Sequence, residues 1–202
     1  MKVRTGFVSN SSSSSFCVVF PKRPKSKEEL MKIMFPGKKP DDHKTEVVDH
    51  VWGQLDEQKK SASKKEIAES MRSRFHYAWQ SRNCGRFTTD GRLVHGPCWF
   101  LDDEEKPYYI DESLQKQLIE LELKDESLRY DSEFKKKEEV WKEKEKIVKK
   151  IATQEAEKLV EDNKEKFIAL FEFADDSSIG SVCEHGGIFE ESGLLTIRSS
   201  NH

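Results

Sequence analysis

The sequence has no apolar run long enough to span a bilayer, which takes about 20 residues as a helix. Its opening, Met1 to Phe7, is followed by no continuous hydrophobic segment of signal-peptide length, and the run Phe16–Phe20 is too short for one. Cysteine is sparse. Cys17, Cys84, Cys98 and Cys183 stand far apart with no CxxC pair, so reduced thiols and a cytoplasmic location are expected. An excess of positive charge is missing too: 35 Lys and Arg face 38 Asp and Glu, the net charge is −3, and the two signs are interleaved. A dedicated nucleic-acid binder usually carries a basic face, so that class is disfavoured. Neither GxxxxGK[ST] nor G-x-S-x-G occurs, which leaves a Walker-type nucleotide loop and a hydrolase nucleophile elbow without support.

What is present suffices for a core. Twelve Phe and four Trp supply enough large apolar side chains to offset the entropy of ordering the chain. Phe16-Cys17-Val18-Val19-Phe20 reads as a short strand apolar on both faces, hence central in its sheet, and Pro21 and Pro24 end it. Ser26 followed by Glu29 is a capping-box pattern that predicts a helix over Lys27–Met34, stopped by Phe35-Pro36-Gly37. Two more helices are predicted. One covers Lys44–Gln58, with Val47, Val48, Val51, Trp52 and Leu55 on one side; the other covers Lys64–Gln80, with Ile67, Met71, Phe75, Ala78 and Trp79. Cys84 to Val94 reads as a hairpin around Asp90-Gly91.

From Asp111 to about Asn163 nearly every residue is a helix former. Asp111 caps a piece carrying Leu114, Leu118 and Leu121. A long helix follows, with Val140, Trp141, Ile147, Val148, Ile151, Ala156, Leu159 and Val160 as its apolar stripe. Strand character then returns. Phe167, Ala169, Phe171 and Phe173 alternate with Ile168 and Leu170, Asp175–Ser178 makes a polar turn, and Ser181–Phe189 holds one helical turn ended by glycines. Leu194–Ile197 is a last strand.

This layout predicts an α+β fold in a single domain over 1–202. The terminal segments, 1–25 and 164–202, form a small sheet, and 26–163 is a mainly helical insertion containing the β-hairpin. Antiparallel pairing of the strands at 16–20 and 167–173 would set the serine run beside Asp175, Asp176, Glu184 and His185; parallel pairing would separate them.

The candidate chemistry follows from that choice. Ser9, Asn10 and Ser11, Ser12, Ser13, Ser14 and Ser15 lie between a hydrophobic start and a core strand, which suits an ordered loop whose hydroxyls and amides bind an anion. A low-complexity linker is the plainer alternative. Cys183-Glu184-His185-Gly186-Gly187 places an acid and an imidazole on a turn, with His185 as acid/base and Glu184 beside it, although a local hydrogen bond explains such a pair as well. Cys84, His95 and Cys98 offer thiolate and imidazole to zinc, but Cys-x10-His-x2-Cys is no knuckle spacing, and a buried Cys is commonly just a small apolar residue. Asp175-Asp176 and Glu190-Glu191 are more simply solvated caps than a cation site. Arg72, Arg74, Arg82, Arg86 and Arg92, with His76, Tyr77 and Trp79 among them, form the most basic stretch, read as a helix with a wet basic face.

The opening Met1-Lys2-Val3-Arg4-Thr5-Gly6-Phe7-Val8-Ser9-Asn10, with Ser11–Ser15 and Phe16 after it, resembles the N-terminus of a scattered group of phage and bacterial proteins. These begin with a basic residue, then GFVSNSSSSSF, then a hydrophobic strand. The ending, Glu184-His185-Gly186 and then Arg198-Ser199-Ser200-Asn201-His202, is similar to theirs as well. The resemblance covers roughly the first twenty and the last forty residues. It implies a phage or prophage origin, with the host cytoplasm as the compartment, and brings no activity with it. Distinctive motifs at both chain ends also favour ends that meet in space.

The favoured expectation is therefore a phage-type accessory protein that acts mainly by binding. A pocket at the terminal sheet, built from the serine loop, Asp175, Glu184, His185 and His202, would take a small anionic ligand or a host or phage protein. The alternatives are an enzyme of phosphate-ester or nucleotide chemistry using the serine loop and His185, and a virion component.

Overall fold

The computed structural model describes residues 13–80, 86–87, 93–94, 109, 111–128, 133–174, 178–185, 187–189 and 191–200, with backbone alone at 13, 73–80, 86–87, 93–94, 115, 122, 126, 184, 185 and 200. The fold is α+β. Strand β1 (Ser13–Phe20) lies between β4 (Phe167–Ala174) and β5 (Leu195–Ser200), antiparallel to both. The central position expected from its two apolar faces is the observed one. Strands β2 (Arg86–Phe87) and β3 (Leu93–Val94) pair antiparallel as a separate ladder in the region read as a hairpin.

Alternation along β1 splits the core in two. Phe16, Val18 and Phe20 face one way, with Phe167, Ala169, Phe171 and Phe173 of β4. Helices α1 (Lys27–Met34), α2 (Asp42–Glu57) and α6 (Ser178–His185) contribute Leu30, Met34, Val47, Val48, Val51, Leu55 and Cys183 to that layer. Cys17 and Val19 face the other way, with Ile168 and Ile197, onto α3 (Lys64–Gln80), α4 (Glu112–Ser127) and α5 (Phe134–Asp162). The sheet is thus sandwiched between two helical layers. Each fully buried Phe or Leu contributes roughly 1.5–3 kcal/mol of transfer free energy, so both faces hold the strands in register.

Helix starts follow the cap chemistry. Glu29 N–H donates to Ser26 Oγ at 3.3 Å, and Glu29 Oε2 accepts in return from the Lys25 N–H at 2.7 Å, one residue earlier than a standard box. Ser63 and Glu66 close a reciprocal box at the start of α3. Asp111 caps α4 as expected, accepting from Ser113 and Leu114. Three sequence expectations need correction. Trp141 is outside the α5 stripe and 43% exposed, because the stripe runs through Lys144 and Glu155 instead. Ser178 opens α6 rather than belonging to a turn, so that helix begins three residues earlier than expected. The serines from Ser13 on extend β1, because β4 and β5 bracket them with ladder bonds.

The outer edge of β4 is sealed by side chains rather than by a strand. Gln54 accepts from Glu172 N–H at 3.0 Å and donates to its carbonyl at 2.8 Å. Gln58 does the same to Leu170, at 2.9 and 2.7 Å. Ile168 N–H donates to Ser61 Oγ, and its carbonyl accepts from Ala62 N–H, both at 2.8 Å. Among the described residues no helix is long and apolar enough to cross a membrane.

Candidate functional site

The antiparallel pairing sets Ser13 opposite Ala174 and Ser14 opposite both Phe173 and Ser200. The start of β1 therefore lies between the ends of β4 and β5, the arrangement on which a shared site at the chain ends depends. Strand geometry changes what the serines can do there. Ser14 is fully buried on the aromatic face, with Phe16 two residues on. Ser15 is half-buried and points to the opposite face, opposite Ser199. Ser14 and Ser15 thus serve different sides of the sheet.

A cation at this end is Arg198, which pairs across the ladder with Phe16, while Glu172 stands opposite Ser15. Its guanidinium lies over the Phe16 ring, 5.7 Å from the centroid, and Nη2 donates to Ser14 Oγ at 3.3 Å. Nε is buried and meets no hydrogen-bond acceptor among the described residues. No carboxylate among the described residues pairs with Arg198. A cation held by an aromatic face gains about 0.5–1 kcal/mol from the ring and keeps its full charge. Beneath it Phe16, Phe171, Phe173 and Phe189 pack as one cluster, with ring centroids 5.1–6.3 Å apart. His50 of α2 rests against Phe173, its ring 5.6 Å away. The ring and the Ser14 hydroxyl hold the Arg198 guanidinium over the start of β1. The sequence reading missed both Arg198 and His50. Arg198 had one signal, a single charge inside the strand Leu195–Ser200; His50 had none.

Most of the predicted site residues lie outside the described residues or are described by backbone alone. Glu184 and His185 are the last two residues of α6, and their side chains are not described. Ser9, Asn10, Ser11, Ser12, Asp175 and His202 lie outside the described residues, as do Cys84, His95 and Cys98. Among the described residues no group of three or more His, Cys, Asp or Glu could hold a metal ion. Of the arginine-rich stretch, Arg72 is described and is ion-paired with Glu145 of α5.

Two thiols are described, both free and buried. Burial, with the charge of Glu155 added, pushes Cys17 up to about 12. Burial alone pushes Cys183 up to about 12. Both shifts favour the neutral thiol near neutral pH, and burial keeps both sulfurs from solvent. No family model matches the chain, and neither a curated protein nor a solved structure is detectably similar to it.

Proposed function

We propose that this chain is a phage-type accessory protein of the host cytoplasm that acts by binding, and that it recognises an anionic group at the end of its sheet. One observation carries the reading: Arg198, fixed over Phe16 and bonded to Ser14, with no carboxylate partner among the described residues. A preorganised guanidinium with free donors is suited to a carboxylate or phosphate, because little side-chain entropy is lost on binding. The serine run that leads into β1 and the segment that follows β4 both adjoin this end, and supply further hydroxyl and amide donors in the proposal. The opening motif shared with phage and bacterial proteins supports the phage assignment.

Binding ranks above catalysis because the described groups that touch the Arg198 guanidinium are an aromatic ring and a hydroxyl, neither of which exchanges a proton near neutral pH. The test is a titration of inorganic phosphate, and separately of acetate, into the intact chain while the Arg198 Nε–H and Ser15 amide resonances are followed. Saturating shifts in the parent that vanish in Arg198→Gln, with thermal stability retained, are expected. Shifts that survive in Arg198→Gln, or no shift at tens of millimolar of either anion, would overturn the assignment.

A further inference from the structure

The two edges of the three-stranded sheet are treated differently. On β4 the outward N–H and C=O groups belong to Ile168, Leu170 and Glu172, and every one is bonded. Antiparallel alternation then dictates the rest of the sheet. Phe167, Ala169, Phe171 and Phe173 turn toward β1, so their partners Phe20, Val18, Phe16 and Ser14 turn toward β4. Ser15, Cys17 and Val19 turn toward β5, where they meet Ser199, Ile197 and Leu195. The groups left pointing outward on β5 are those of Thr196, Arg198 and Ser200. Among the described residues no hydrogen bond reaches them. An open row of donors and acceptors about 6.8 Å apart is a template for another strand.

We propose that the outer edge of β5 receives an extended segment of a partner protein, antiparallel or parallel, that carries an acidic side chain facing Arg198. This rests on the anion-site reading and deepens it by naming what bears the anion. The charge decides the occupant. Thr196 shares the face of Arg198 and carries no charge, so the position opposite Arg198 faces a cation. A second copy of this chain, paired about Arg198, would bring two guanidinium groups side by side, which is unfavourable. On the other face Leu195 is 38% exposed and offers apolar surface to an alternate residue of the incoming strand. Backbone bonds then give affinity, and alternate acidic and apolar side chains give selectivity.

The experiment uses the intact chain and terminally blocked heptapeptides that alternate Val and Thr around a central residue. One has Glu at the centre, one has Lys, and one is the Glu peptide N-methylated at alternate residues, in both phases, to remove the donors that would face β5. Calorimetry gives affinity, and amide hydrogen exchange of Thr196 and Arg198 locates the contact. The expected result is binding of the Glu peptide, at least ten-fold weaker binding of the Lys peptide, none by the N-methylated peptides, and slowed exchange at Thr196 and Arg198. Equal affinity for Glu and Lys peptides would overturn the proposal. So would slow exchange of both amides in the free monomer, or a dimer that protects them. A phosphate titration of the same sample separates the failures. Phosphate shifts without peptide binding remove the strand partner alone, whereas silence toward both removes the anion site as well.

Discussion

Replacement of Gln58 by Glu is the sharpest probe of the sealed edge, because it changes one atom pair and nothing in volume. The carboxamide holds Leu170 through two bonds of opposite polarity, accepting from its N–H at 2.9 Å and donating to its carbonyl at 2.7 Å. A carboxylate keeps the first and loses the second, together with the Nε2–H bond to the Gln54 carbonyl at 3.2 Å, setting an anionic oxygen against carbonyl oxygens. Each lost bond at a half-buried edge costs about 0.5–1.5 kcal/mol, and the oxygen–oxygen repulsion adds to it. A loss of about 2 kcal/mol at pH 7.5 is expected, equivalent to roughly 4–8 °C in Tm for a chain of this size. The protonated acid can donate to Leu170, so the folded state favours the neutral form and raises the new group above its unfolded value of about 4.3. Stability relative to the parent is then nearly intact below pH 4.3 and falls as pH rises through the folded value. Urea unfolding of parent and variant at pH 4 and pH 7.5 measures this difference. Gln58→Asn, too short to reach, should cost a similar amount at both pH values. A Gln58→Glu deficit that does not grow with pH would refute the edge assignment.

Two further outcomes follow from the buried polar groups. Asp125, on the last turns of α4, accepts from Lys144 at 2.9 Å, from Lys137 at 3.2 Å and from the Trp141 indole at 3.1 Å. Burial opposes its charge, but the bond and charge of Lys144, with Lys137 and Trp141, prevail and hold its carboxyl below the usual value. This contribution is present above an unfolded pKa of about 3.9 and is lost as pH falls through the lower folded value. Asp125→Asn should therefore cost about 3 kcal/mol at pH 7 in urea unfolding and flatten the acid limb of stability; an unchanged acid limb would count against it. Cys17 and Cys183 are buried and pushed up to about 12, so the neutral thiol dominates at pH 8. Both should resist iodoacetamide in the native chain and react in urea, as read by peptide mass, and fast native labelling of either would disprove the burial.

The strands were legible because their residues leave little choice. Phe167, Ala169, Phe171 and Phe173 alternating with Ile168 and Leu170 serve two apolar faces, and two helical layers supply them. The α5 stripe was legible except where it is polar. Lys144 is 2% exposed and Glu155 fully buried, positions that a hydropathy pattern assigns to water; the carboxylate that meets Lys144 lies 19 residues away on another helix. Serine has little strand preference, so the extension of β1 back to Ser13 came from pairing on both sides rather than from local propensity. Arg198 acquires meaning only once β5 is paired with β1, which brings Phe16 and Ser14 to its guanidinium. A long-range register of this kind leaves no local trace.

The polar series Gln54, Gln58 and Ser61 also reads locally as a wet helix face, yet its spacing is what seals β4. Four residues of helix advance about 6.0 Å and two residues of antiparallel strand about 6.8 Å, so Gln54 and Gln58 reach Glu172 and Leu170 with a mismatch a side chain absorbs. A third helical contact, two such steps on, would fall about 1.6 Å short. At that point the helix stops: Arg23 donates from Nε to the Gln58 carbonyl at 3.0 Å and from Nη2 to the Leu55 carbonyl at 3.3 Å. The chain turns, and Ser61 with the Ala62 amide completes the row at Ile168. The seal therefore requires a helix antiparallel to the strand that ends after two contacts, a condition α2 meets on the β4 side. Helix α3 packs beneath β5 and, among the described residues, makes no such row at its outer edge. Among the described residues the β4 edge is bonded along its length and the β5 edge is not, and Arg198 stands on that second strand.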